Sequence, residues 1–398
     1  MMETKSGGAG AFANFDLTRV PSPCFVVDEV AVERNLKVLA EVGERSGARI
    51  LSALKAFSFP ALAPLVSQYL SGTCASGLFE ARLANEYYGG RGGGEASGGE
   101  VATYCAGYKA ADMDEIIACS DHLIFNSPAQ KQRFLPQIAA SGKSVHVGLR
   151  INPEHSEGLV PKYDPCAPFS RLGYPVSQLT AQDMEGVDGL HFHTLCEQEF
   201  EPLLRTWAAV LPKIQPYLGG LKWLNFGGGH HITRADYDRD ALIRFLREIR
   251  QTTGLDLYLE PGEAVALDTG ILVGEILDTF ANDMDIAITD ISATCHMPDV
   301  IEAPYRPDML GERESGPAHR LGGPSCLAGD VIGDYRFPSP PQIGDRIAFL
   351  DQAHYSMVKT NTFNGVPLPA IAVWNSETDA LKMIREFGYE DFLTRLGG

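Results

Sequence analysis

A chain of 398 residues is long enough for two domains, each with a sizeable core. Its 33 Lys and Arg against 51 Asp and Glu give a formal charge of -18. That balance argues against nucleic acid or an anionic membrane as partner and suits a cationic small molecule, although acidity also serves solubility alone.

No run of about 18 apolar residues is present to span a membrane, and the Gly/Ala-rich start lacks the apolar stretch of a signal peptide. The eight cysteines are scattered, with no C-x-x-C pair. Neither a metal site nor a disulfide framework is expected, and a reduced, cytoplasmic chain is.

Residues 1–15 read as a disordered tail. Residues 16–29 contain an apolar strand that is expected to join a β-domain further along the chain. Val32, Leu36, Leu39 and Val42 then recur at helical spacing. Strands follow at 49–54, 72–76, 101–105, 123–125, 145–151, 189–193, 223–226 and 255–259, mostly alternating with helices. Eight such units within 30–265 predict the α/β class and a (β/α)8 TIM-like barrel.

A doubly wound open sheet alternates in the same way. The strand ends favour the barrel. Polar or glycine-rich residues follow the strands at Lys55, Asn126, Arg150, His193, Gly227-Gly228-Gly229 and Glu260. A barrel gathers its site from many strand ends, whereas an open sheet uses one switch point. Residues 266–398 change character and read as a C-terminal β-domain with a terminal helix, its strands at 270–280, 284–291, 327–337, 345–351 and 369–374. The glycine-rich stretch 89–99 reads as a flexible insertion, and 304–323 as a mobile loop.

Each candidate residue, taken singly, has a structural alternative. Lys55 ends a strand, where most lysines are merely solvated. The triple glycine can cradle a phosphate or only turn the chain. Glu260 can hold a protonated ring nitrogen or cap a turn. His191 and His193 share one face of a strand. They can stack on a cofactor, bind a metal or sit satisfied in a core, though no third ligand stands at a suitable local spacing. Together, an amine, a glycine turn, a flat ring and an acid are what pyridoxal 5'-phosphate (PLP) requires.

The order of motifs carries more than any one of them. ALKAFS at 53–58, GLRINP at 148–153, HTLCE at 193–197, the triple glycine and EPGEA at 260–264 are followed by GPSCLAGD at 323–330, HYSM at 354–357 and TFNG at 362–365. From about residue 20 onward the chain resembles the alanine-racemase-like, fold-type III PLP-dependent decarboxylases. NPEHSEG at 152–158, YDPCAPFSRLG at 163–173, HTLCE, EPGEA and CHMPD at 295–299 are most similar to the carboxynorspermidine (carboxyspermidine) decarboxylase branch. Ornithine-type relatives carry arginine where this chain has Glu263.

The resemblance implies a homodimer with shared active sites, acting on a polyamine-like substrate. It implies that Lys55 holds PLP as a Schiff base and that His193 stacks on its ring. Glu260 then holds the pyridine nitrogen, and Arg150 lies near the phenolic side. Gly228, Gly229 and the Tyr355 hydroxyl hold the phosphate. Cys326, from the partner subunit, is the implied proton donor. Glu263 and Asp299 bind substrate amino groups. The implied reaction is decarboxylation of carboxynorspermidine to norspermidine and of carboxyspermidine to spermidine. The alternatives are a diaminopimelate-type decarboxylase, an amino-acid racemase or a non-catalytic PLP-binding homologue.

Overall fold

The structure, a computed structural model, describes residues 7–89, 99–158 and 160–398. Residues 90–98 of the expected glycine-rich insertion lie outside that range. The chain divides into two units, Glu33–Val265 and Met1–Val32 with Ala266–Gly398.

In chain order, β1 is Cys24–Asp28. The Glu33–Val265 unit contributes β2 (Arg49–Ala53), β3 (Gly72–Ala75), β4 (Glu100–Tyr104), β5 (His122–Phe125), β6 (His146–Asn152), β7 (Tyr174–Pro175), β8 (Gly189–His191), β9 (Trp223–Asn225) and β10 (Asp256–Leu259). The hydrogen-bonded order is β5-β4-β3-β2-β10-β9-β8-β6-β7, and pairing of β5 with β6 closes the ring. All pairs are parallel. The alternation of strands and helices therefore forms a closed eight-stranded barrel, with the short β7 appended to β6, and not an open sheet.

The helices around it follow from local chemistry. In Arg239–Thr253, Asp238 caps the Ala241 N–H at 2.8 Å and Gly254 ends the helix at φ 73°. Such a cap stabilises by about 1 kcal/mol. The buried face is Leu242, Ile243, Phe245, Leu246 and Ile249.

Leu51, Ala102, Ile124, Trp223 and Tyr258 fill the barrel. A Cβ at Gly189 would stand 2.0 Å from the Trp223 ring, so the small residue on β8 is what admits the indole on β9. Nearer the strand starts, Glu100 meets Arg49 and lies 3.5 Å from His122, while Arg49 Nη1 donates to the Tyr258 hydroxyl at 2.8 Å. Burial pushes the Glu100 carboxyl up, but His122, Tyr258 and Arg49 outweigh it and bring it from 4.5 to about 2.

A carboxyl depressed on folding stabilises above its ordinary pKa and loses that stabilisation as pH falls through the folded value. The effect amounts to about 2 kcal/mol after allowance for the solvent access of Arg49. Glu100→Gln is therefore expected to lower the urea midpoint at neutral pH, with the gap to wild type closing between pH 4.5 and about 2. A gap of constant size would remove the ionised carboxylate as its source.

The other unit adds β11 (Gly270–Ala281), β12 (Asp285–Thr289), β13 (His319–Gly322), β14 (Val331–Tyr335), β15 (Arg346–Leu350), β16 (Ala370–Trp374) and β17 (Leu381–Arg385). All five residues of β1 are buried. The strand pairs antiparallel with β11 and parallel with β16. Cys24, Val26, Ile271, Val273, Ala348 and Ala372 lie in its core.

Residues 7–15 depart from the expected tail. Gly10–Asn14 is a 3-10 turn, and Phe12 and Phe15 are buried with ring centroids 5.2 and 4.9 Å from that of Trp374. Two aromatic side chains supply the burial that offsets the ordering of this glycine-rich segment. The stretch 304–323 also differs from a plain loop. Its end is β13, and Arg306 stacks on Tyr335 at 3.8 Å. Neither β13 nor β17 has marked apolar alternation, and their neighbours β12 and β16 supply the ladder instead. Among the described residues no helix is long and apolar enough to cross a membrane.

Candidate active site

Of five adjacent barrel strands, β2, β10, β9 and β8 are followed by Lys55, Glu260, the glycine turn and His193, while Arg150 lies inside β6, two residues before its end and not after it. The arc follows from the sheet order, because each strand end is pinned by its neighbours. The Ala53 N–H donates to Pro261 O at 2.9 Å and the Leu54 N–H to Cys74 O at 3.1 Å. Lys55 is the one exposed residue in the otherwise buried run 50–57. Its charge acts on both His193 and His191.

Glu260 is held from two sides. Asn225 Nδ2 donates to Oε1 at 2.7 Å, and His191 Nε2 stands 3.1 Å from Oε2. Burial raises the carboxyl's pKa, but His191, Asn225 and Arg150 overcome it, so the acid is held below its ordinary range. Burial pushes the His191 imidazole down, with Glu260 offsetting part of the effect. The pair is therefore an ionised carboxylate and a neutral ring at neutral pH.

His193 accepts the Gly228 N–H at Nδ1, 2.9 Å away, which places the proton of the neutral ring on Nε2. Burial, then the Lys55 and Arg150 charges, hold this imidazole well below its ordinary pKa. Arg150 is buried, with its guanidinium 4.5 Å from the Tyr104 ring centroid. Tyr104 in turn stacks on His191 at 5.7 Å and donates its hydroxyl to Asn126 at 2.6 Å.

In the glycine turn, Gly227 and Gly229 have φ 68° and 87°, and a Cβ at Gly229 would stand 1.9 Å from Leu195 O. The Gly227 N–H goes to Asn225 and that of Gly228 to His193. The next two N–H groups, of Gly229 and His230, meet no acceptor among the described residues. Consecutive N–H groups in such a turn form an anion-binding nest. An accessible amine, a neutral ring, an ionised carboxylate and this nest together fit PLP. Gly228 spends its N–H on His193 Nδ1, so the two open N–H groups of the turn are those of Gly229 and His230.

Asn225, Tyr104 and His231 escaped the sequence reading. A buried amide two residues before a glycine turn was the available sign for Asn225. Glu263 opens the helix Glu263–Ala266, and its Oε2 is 3.2 Å from His231 Nε2.

The remaining candidates belong to the other unit. Asp299 is bound by Lys359 Nζ at 2.5 Å, which also reaches Glu302 at 2.9 Å. Tyr355 has φ 41°, and its carbonyl accepts the Lys359 N–H at 2.8 Å. Cys326 is exposed, and its N–H donates to Asn364 Oδ1 at 2.8 Å. Asp330 secures the same loop, accepting from Ser325 N, Ser292 Oγ and Thr294 N. CHMPD, GPSCLAGD and TFNG thus meet at one place, since Cys295 Sγ also donates to Phe363 O at 3.5 Å and the Asn361 N–H, just before TFNG, donates to Cys295 O at 2.9 Å.

Comparison with known proteins gives the same reading. A carboxynorspermidine/carboxyspermidine decarboxylase of Campylobacter jejuni is 39% identical over 393 residues, covering 95% of this chain and 99% of the relative. A carboxyaminopropylagmatine decarboxylase of Synechocystis is also 39% identical, covering 96% and 97% respectively. The crystal structure of carboxynorspermidine decarboxylase from Campylobacter jejuni, complexed with norspermidine, matches with a TM-score of 0.85 at 38% identity, covering 94% of this chain and 100% of that one. The family described as "Pyridoxal-dependent decarboxylase, C-terminal sheet domain" matches residues 24–353. With its barrel, its sheet unit and a site fitted to the cofactor, the chain belongs to the PLP-dependent decarboxylases.

Proposed function

We propose that the protein decarboxylates carboxynorspermidine to norspermidine and carboxyspermidine to spermidine, as a cytoplasmic homodimer in polyamine biosynthesis. The observation that carries the substrate class is Glu263, a carboxylate on the strand-end loop that packs against the Lys55 turn. A Cβ on Gly262 would stand 2.7 Å from the Ala56 Cβ and 3.1 Å from that of Ala53, so the two loops are in close contact. A cationic tail beside the reacting amine finds an acid there.

Bound PLP supplies an electron sink for the carbon that loses CO2. Lys55 would hold the cofactor through its amine, the group a substrate α-amine would replace. Glu260, kept ionised by His191 and Asn225, holds a proton at the ring nitrogen. The neutral His193 ring would hold the face of the cofactor, and Arg150 would supply a permanent charge beside it. The N–H groups of Gly229 and His230, on the turn that Gly228 shapes, would take the phosphate, and the family resemblance assigns a phosphate contact to the Tyr355 hydroxyl as well. Asp299 contributes a second carboxylate for the substrate's amino groups, sharing or exchanging its Lys359 partner. Cys326 of the second subunit delivers the proton that replaces CO2.

The equal identity of the Synechocystis relative favours a second reading, carboxyaminopropylagmatine, whose tail ends in a guanidinium. CO2 release from carboxynorspermidine, carboxyspermidine, carboxyaminopropylagmatine, diaminopimelate and ornithine tests both. Preference for the first two supports the proposal. Preference for the third replaces its substrate, and preference for diaminopimelate or ornithine overturns the tail-binding role of Glu263. Cys326→Ala is expected to keep the PLP absorbance and lose about a hundredfold in kcat. Unchanged kinetics would take the thiol out of the reaction.

A further inference from the structure

His230 and His231 follow the glycine turn directly and are both 2% exposed, yet they are engaged differently. His230 Nδ1 lies 2.7 Å from the Tyr237 hydroxyl, a buried pair at the foot of the Arg239–Thr253 helix. The His231 backbone N–H donates to Gln198 O at 3.1 Å, and its ring Nε2 lies 3.2 Å from Glu263 Oε2. A second tie runs beside it, from Thr233 Oγ1 to Ala264 O at 2.7 Å. The segment that leaves the phosphate nest is therefore fastened at two points to the first turn of Glu263–Ala266. On the other side of Glu263, Gly262 abuts Ala53 and Ala56. Glu263 therefore sits on a loop whose carboxylate meets the nest segment at His231 and whose preceding residue, Gly262, meets the Lys55 turn, and 16% of the Glu263 side chain is accessible.

We propose that His231 is a specificity-determining positioning residue, which orients the Glu263 carboxylate for the cationic tail of the substrate. The inference rests on the polyamine reading above and deepens it. A glutamate on a rim loses rotamer freedom when it binds an ammonium group. A partner that fixes one of its oxygens beforehand removes that cost from binding. Histidine suits the task because its flat ring sets a nitrogen 3.2 Å from the carboxylate oxygen without the permanent charge of lysine or arginine. An arginine here would cancel the acid that the tail needs.

The test uses the PLP-loaded enzyme with norspermidine as the probe, titrated by calorimetry into wild type, His231→Ala and His231→Gln. His231→Ala is expected to weaken norspermidine about tenfold and to raise KM for carboxynorspermidine by a similar factor, with kcat within about twofold. PLP absorbance stays unchanged. His231→Gln, which can place an amide N–H where Nε2 stands, recovers most of the affinity. Unchanged norspermidine binding in His231→Ala overturns the inference. So does a loss of PLP, or an equal loss of kcat and affinity that glutamine does not rescue. If the wild type neither releases CO2 from carboxylated triamines nor binds norspermidine, the proposed substrate fails and this inference fails with it. A wild type that does both while His231→Ala matches it overturns the inference alone.

Discussion

Lys55→Ala is expected to abolish the PLP absorbance band and to lower turnover by about four orders of magnitude or more. The expectation has a structural basis that separates chemistry from folding. Ala53, Leu54, Ala56 and Phe57 are each at most 1% exposed and carry the packing of this segment, whereas the Lys55 side chain is exposed. Backbone bonds from Ala53 to Pro261 and from Leu54 to Cys74 hold the turn regardless of the side chain at 55. The variant should therefore fold as the wild type does and lose only the amine. Lys55→Arg sharpens the test, since it keeps a cation but offers no nucleophile at neutral pH. Borohydride treatment should fix the cofactor to Lys55 in the wild type and to neither variant. Decarboxylation at wild-type rate in either variant would remove Lys55 from the reaction.

The parts legible in the sequence are those that a period or a strand end marks. Lys55, His193 and Glu260 stand where an apolar run stops, and the parallel ladder brings such ends to one rim of the barrel. Knowing the barrel therefore nearly places them. Asn225 and Tyr104 meet neighbours on other strands, and His231 meets the first residue of a short helix. Alternation tells which face a side chain takes, but not which side chain of the next strand it meets. The register of β8, β9 and β10 brings Asn225 and His191 to Glu260.

The Cys326 loop is harder still to read. Side-chain oxygens of Asp330 and Asn364 fasten it, and such contacts leave no periodic trace. The order of CHMPD, GPSCLAGD and TFNG was visible, while their meeting was not. Likewise NPEHSEG and HTLCE, separate in the chain, are joined by Gln198, whose Nε2 donates to Glu157 O at 3.0 Å and whose Oε1 accepts the Cys196 N–H at 3.3 Å. Two of the stretches that carry the resemblance are thus coupled across one small contact. Composition averages over the aromatic residues near the start of the chain, and Trp374, their partner, lies more than 350 residues away.

Glu260→Gln is expected to keep the cofactor but to lower kcat by at least about a hundredfold. The substitution preserves shape and removes charge. The glutamine carbonyl can still accept from Asn225 Nδ2, and its amide then donates to His191, which must carry its proton on Nδ1 to accept at Nε2. The network can therefore survive a tautomer change, so a loss of rate cannot be assigned to collapse of the site. What is lost is the anion that would keep a ring nitrogen protonated.

The pH dependence discriminates further. Burial raises the Glu260 carboxyl, yet His191, Asn225 and Arg150 hold it below its ordinary value of 4.5, so it stays ionised through neutral pH. A carboxyl depressed in this way stabilises the fold above its ordinary pKa and loses that contribution as pH falls through the folded value. Glu260→Gln should therefore be less stable than wild type at neutral pH and approach it on acidification, while its kcat stays low at every pH. Urea midpoints and pH profiles of kcat measure the two separately. Recovery of kcat in the variant at acid pH would mean that a ring nitrogen can be protonated without an anion at 260, and the role assigned to the ionised carboxylate would fall. If the stability gap closes while the kcat gap remains, the anion at 260 serves both the fold and the reaction.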